Sequence, residues 1–197
     1  MNREVTSTSL ASTRPTILRR GLAIGIGALI VALSAQVIVP VAFSPVPITL
    51  QPLAVLAVGG LLGGPAGLGV LLLYIALGVL GLPVFAGGGS GMLRLMGPTG
   101  GYLLAFPVAA GFTGALVSPV LAAGAIKASG VLRVLLVCAL GMAIIHIGGV
   151  AQLAILGGDT SLALRVGLIP FLTGDLLKVG LAAALILAAG PKIRSLL

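Results

Sequence analysis

Apolar residues in this chain neither alternate nor trace a single helical stripe. They run on in blocks, each closed by proline, glycine or charge. Six blocks are legible: Gly21–Val39, Ile48–Leu62, Gly67–Leu82, Tyr102–Ala123, Arg133–Leu156 and Leu168–Ala189. Pro40, Gly63-Gly64-Pro65, Pro83 and Gly190-Pro191 close the first, second, third and sixth. Most approach the roughly 20 residues that a bilayer-spanning helix needs. Lipid offers no hydrogen bonds to a backbone, so each block must satisfy its own as a helix. The dyad alternation of a membrane barrel is missing. The pattern predicts an all-α polytopic integral membrane protein, a six-transmembrane-helix bundle over residues 21–190, with tails at 1–20 and 191–197. The second and third blocks are near the lower length limit and read either as full crossings or as a re-entrant pair. Both alternatives return the chain to the same face. The first block is long for the apolar core of a signal peptide, so it is expected to be a retained span.

Composition sharpens this picture. Of 197 residues, 59% are hydrophobic and 7% charged, against roughly 25% charged in soluble domains. Eleven basic and three acidic residues cannot clothe a domain of this size in polar surface, so its solvent is lipid. The net charge of +8 does not imply nucleic acid: aromatics are 4%, tryptophan is absent, and no stacking surface can be built. The charges set orientation instead. With six crossings, Arg3, Arg14, Arg19, Arg20, Lys127, Arg133, Lys192 and Arg194 share one side, opposite Arg94 and Arg165. The positive-inside rule then places both termini in the cytoplasm, and the loops Val41–Thr49, Pro83–Gly100 and Gly157–Gly167 outside. This suits the cytoplasmic membrane of a bacterium or archaeon. Cys138 is the one cysteine; it forms no internal disulfide and belongs to no metal-binding spacing, so it is read as a packing residue.

Asp175 and Lys178 are the most informative residues. Three positions apart in the sixth block, they share a helix face. Ionisable groups within a membrane face a cavity or each other, so the pair is either self-neutralising or a ligand site. The third loop carries Gly87-Gly88-Gly89-Ser90-Gly91, then Gly97-Pro98-Thr99-Gly100-Gly101. Such a stretch is a flexible connector or a place where backbone approaches a ligand; no Gly-Lys-Ser/Thr makes it a phosphate loop. Arg94 between the clusters pairs with a ligand carboxylate or sits among headgroups. In the proline-stiffened first loop, Thr49 and Gln51 offer neutral hydrogen bonds. His146, alone in the fifth block, suits a helix-to-helix hydrogen bond better than a proton relay; Gln36 and Gln152 invite the same caution. Ala28 and Ala32 form a small-xxx-small pair beside Gly21 and Gly25, which packs helices within the chain or docks a partner. No hydrolytic triad, carboxylate pair, nucleotide site or metal cluster is visible, so neither an enzyme nor a cofactor is expected.

Four stretches, PVPITLQ (Pro45–Gln51), GLPVFAGG (Gly81–Gly88), GPTGGYL (Gly97–Leu103) and PFLTGDLLK (Pro170–Lys178), resemble in order and spacing the BioY family. That family comprises biotin-specific substrate-binding (S) components of energy-coupling factor (ECF) vitamin transporters. The resemblance covers about Gly21 to Ala189. It implies a six-helix bundle with an outward-open biotin pocket. It also implies partners: an ECF transmembrane coupling protein, met by the small residues Ala28 and Ala32, and two cytoplasmic ATPase subunits. A solitary biotin carrier acting without ATPases is the alternative, since some members lack dedicated partners; a ligand-free scaffold fits the Asp175/Lys178 pair poorly. The chemistry of biotin fits the candidates: Asp175 accepts from a ureido N–H, and Lys178 pairs with Asp175 or donates to ligand oxygen. The amides of Gly88, Gly89 and Ser90 are expected to close over the rings, Phe85 and Tyr102 to pack on the thiophane, and Arg94 to hold the valerate carboxylate.

Overall fold

In the computed structural model, residues 8–123 and 127–197 are described, with side chains from Ile17 onward; Arg3, Arg14 and the start of the N-terminal tail lie outside the described side chains. The order is α1 (Thr8–Ser34), β1 (Ile38–Val39), β2 (Ile48–Thr49), α2 (Gln51–Leu62), α3 (Gly64–Val79), α4 (Leu93–Met96), α5 (Gly100–Ala122), α6 (Ala128–Gly157), α7 (Thr160–Gly167) and α8 (Leu172–Arg194). Single 3-10 turns lie at Ala86–Gly88 and Ile169–Phe171.

The fold is an all-α bundle, and the boundaries of its elements correct the apolar blocks in instructive places. Helix α1 stops at Ser34, and Ile38–Val39 pairs antiparallel with Ile48–Thr49 in a two-residue ribbon. Apolarity alone does not separate β-branched strand residues from helix ends. Helix α8 runs past Gly190-Pro191 to Arg194, since proline that late in a helix breaks just one internal bond. Pro170 sits in the 3-10 turn that opens α8.

Among the described residues, four helical segments are long and apolar enough to cross a bilayer: Ile17–Ser34, Gly100–Ala122, Ala128–Gly157 and Thr160–Arg194. Helices α2 and α3, with 12 and 16 residues, reach about 18 and 24 Å at ~1.5 Å per residue, less than the ~30 Å of hydrocarbon. The expected count of six full spans therefore rests on these two short helices. Gly63, at φ 92°, turns the chain directly from α2 into α3. A Cβ on Gly67 would lie 2.7 Å from the Gly59 Cα, so the pair forms a close hairpin that only glycine admits.

Helix α2 needs little lipid around it. Residues Ala54 to Gly60 are buried, and α2 packs against α1, α3, α5, α6 and α8. Its final carbonyls, orphaned at any helix end, are met by Arg194: Nη2 donates to Gly60 O at 2.6 Å and Nε to Leu61 O at 3.3 Å. Helices α5 and α6 pack closely together, and a Cβ on Gly101 would overlap Gly148 O. Large apolar side chains point outward along the long helices, among them Leu29, Leu104, Leu140, Ile147 and Leu185. That inside-out surface suits lipid.

Candidate functional site

Helix α8 turns Asp175 and Lys178 inward at one end of the bundle, 5% and 6% exposed. Lys178 Nζ donates to Asp175 Oδ1 at 2.9 Å. The other carboxylate oxygen, Oδ2, lies 2.6 Å from His146 Nε2 on α6. The helix-to-helix bond expected of His146 thus runs to the most chemically informative residue in the chain. Edge-on contact with Tyr102 (6.1 Å between centroids) and a tilted contact with Phe171 (6.0 Å) hold the imidazole. Asp159, the other acid beyond the N-terminal tail, acts locally and caps α7, its Oδ1 accepting the Leu162 amide at 3.0 Å.

A cavity opens over this cluster. It is lined by Asp175, Lys178, His146, Arg94, Thr49, Gln51, Phe85 and Tyr102, with Val46, Pro47, Pro52, Ala86, Thr99, Leu103, Phe106, Ile145 and Phe171. A carboxylate–ammonium–imidazole cluster, a separate guanidinium and aromatic walls share one concave space. That is the usual composition of a small-molecule site, mostly apolar with a few placed polar groups.

Side-chain bonds hold the loops that form its rim. Gln51 Nε2 donates to Tyr74 Oη at 2.8 Å, and Tyr74 Oη donates to Val84 O at 3.1 Å. Tyr74 and the buried Phe85 meet edge to face at 5.5 Å. Gln152 Nε2 donates to Leu95 O at 2.8 Å and Gly97 O at 2.6 Å, securing the segment that carries Arg94. Ser44 Oγ donates to Val166 O at 2.7 Å, which ties the first loop to α7. Tyr102 Oη donates to Gly167 O at 2.6 Å.

The structure brings Asp175, Lys178, Arg94, Thr49, Gln51, Phe85 and Tyr102 onto one cavity. The glycine-rich loop behaves otherwise. The Gly88 amide, expected to face a ligand, donates to Gln36 Oε1 at 3.0 Å. Gly89 is the floor beneath Arg94, whose Nε would lie 2.6 Å from a Cβ there. Ser90 is exposed, and none of the three lines the cavity. Gly89 O accepts the Phe85 amide at 3.0 Å, so Gly89 touches both Phe85 and Arg94. Ala28 is 3% exposed within this chain's own core, and Ala32 packs against that core half-buried. On the same helix Gly21 and Gly25 face open space. Sequence reasoning did not place His146, Phe106 and Phe171 in the site; the one available signal for His146 was the rarity of an ionisable group in an apolar helix.

A family model described as the BioY family matches residues 3–195. Among relatives, the probable biotin transporter BioY of Pyrococcus horikoshii is 37% identical over 82% of this chain and 90% of its own. The biotin transporter BioY of Thermotoga maritima is 35% identical over 86% of this chain and 95% of its own. A solved structure, the S-component for biotin from an ECF-type ABC transporter, is similar with a TM-score of 0.77. It covers 91% of this chain and 93% of that one at 24% identity, and it supports the fold.

Proposed function

The chain belongs to the BioY family of transporter proteins, and from that premise we propose that it is a high-affinity biotin-binding membrane subunit of a vitamin uptake system. The observation that carries the proposal is convergence. Residues from the first and third loops and from α5, α6 and α8 share one cavity whose chemistry complements biotin. Each carboxylate oxygen has two acceptor positions, and Asp175 uses one on each, for Lys178 and His146. Its remaining lone pairs accept ureido N–H groups. Lys178, with three donors and one directed at Asp175, donates to the ureido carbonyl. Phe85, Tyr102, Phe106 and Phe171 enclose the thiophane, and Arg94 takes the valerate carboxylate.

The same reading assigns ATP-driven delivery to partners: an ECF transmembrane coupling protein and two ATPase subunits. It places the cavity toward the outside and both termini in the cytoplasm, following the charge bias of the loops. The test is titration calorimetry of biotin against the monodisperse detergent-solubilised protein. Saturable one-to-one binding is the expected result, and no measurable heat or displacement with biotin at high micromolar concentration would remove the proposal.

A further inference from the structure

We infer that His146 is a positioning residue for the binding centre, whose Nε2–H locks the Asp175 carboxylate toward the cavity. This rests on the biotin-site reading for its ligand, though not for its structural part.

Asp175 and Lys178 lie on the same helix, so their ion pair alone leaves the carboxylate free to swing with its own rotamer. The bond from His146 comes from another helix, at 2.6 Å to Oδ2, and removes that freedom. The imidazole is itself fixed between Tyr102 and Phe171. His146 and Asp175 also line a second, almost wholly apolar groove between α6, α7 and α8. The pair is thus a partition between the cavity and an apolar outer surface.

Nδ1 of His146 is buried with no hydrogen-bond partner among the described residues. Nε2 is therefore the nitrogen that bonds, and toward a carboxylate it donates. Tyr102, in edge-on contact with the ring, commits its hydroxyl to Gly167 O and does not compete for that bond.

The chain has a single histidine, so selective 15N-histidine labelling, with a histidine-free purification tag, reports this residue alone. Without ligand the expected spectrum shows hydrogen on Nε2. A ring with hydrogen on Nδ1 alone would overturn the inference whatever the protein binds. Calorimetry then tests the positioning. His146→Gln keeps an N–H donor near Nε2 and should bind biotin within about threefold of wild type. His146→Leu keeps bulk without the donor and should lose at least tenfold; His146→Asn, polar but too short, replaces it if the leucine variant is not monodisperse. Equal affinities across the variants or equal losses would each sink the idea. Absence of biotin binding by wild type would count against the functional proposal and leave the NMR result standing.

Discussion

Asp175 is the residue on which the most depends, and its two partners make its replacement informative. Asp175→Asn turns one acceptor oxygen into a donor amide. Hydrogen bonds to charged groups are worth about 1.5–3 kcal/mol, so biotin affinity should fall about tenfold to a hundredfold, measured by calorimetry. The same change leaves Lys178 buried without its carboxylate, which lowers stability. Asp175→Asn combined with Lys178→Met removes both charges and should recover melting temperature without recovering affinity. If the pair were purely structural, the double variant would bind biotin like wild type. Arg94 permits a cleaner separation. Arg94→Ala should weaken biotin binding at least tenfold and leave binding of biotinamide, which lacks the carboxylate, nearly unchanged. Equal losses for both ligands would assign Arg94 to packing over Gly89 and not to the carboxylate.

At the scale of elements, α2 is the short buried helix around which the others pack, and its last carbonyls depend on the Arg194 guanidinium. Arg194 also donates to Ser118 Oγ on α5 at 2.7 Å, so one side chain from the end of α8 ties three helices together. Arg194→Ala should lower the melting temperature by several degrees, and Arg194→Lys should not restore it, because a point ammonium lacks the planar fork of donors. Helix α1 gives a second contrast. Ala28→Leu adds three carbons to a position already in the core and should destabilise the isolated protein by about 1–3 kcal/mol through overpacking. Gly25→Leu meets open space, so it should leave stability and biotin binding intact. If the outward face of α1 meets the coupling protein, Gly25→Leu should reduce co-purification with it. Unchanged co-purification would move that interface elsewhere.

For the whole molecule, orientation is the property to measure. In a Cys138→Ser background, a cysteine at Ser90 or Thr160 should react with an impermeant maleimide added to intact cells, and one at Ser129 should not. All three positions are exposed, so the pattern of labelling reports sidedness and not burial. Outside labelling at 129 would invert the arrangement and with it the external opening of the cavity. Much of this molecule was legible in the chain. Block hydropathy and the scarcity of charge dictate a lipid-facing helical bundle, because the cost of exposing backbone or charge to lipid acts on each segment separately. Prolines and glycines marked the loops, and the order of four motifs, three at loops and one entering α8, identified the family and most of the cavity's polar groups. Only the tertiary structure decided the rest. The pairing of His146 with Asp175 depends on how α6 is rotated against α8. The capture of the Gly88 amide by Gln36 depends on where the third loop folds back on the turn that follows α1. The inward turn of Ala28 and the burial of α2 depend on which helices stand next to them. Each is a matter of side-chain direction between segments far apart in the chain, and a direction is set only when the helices have packed.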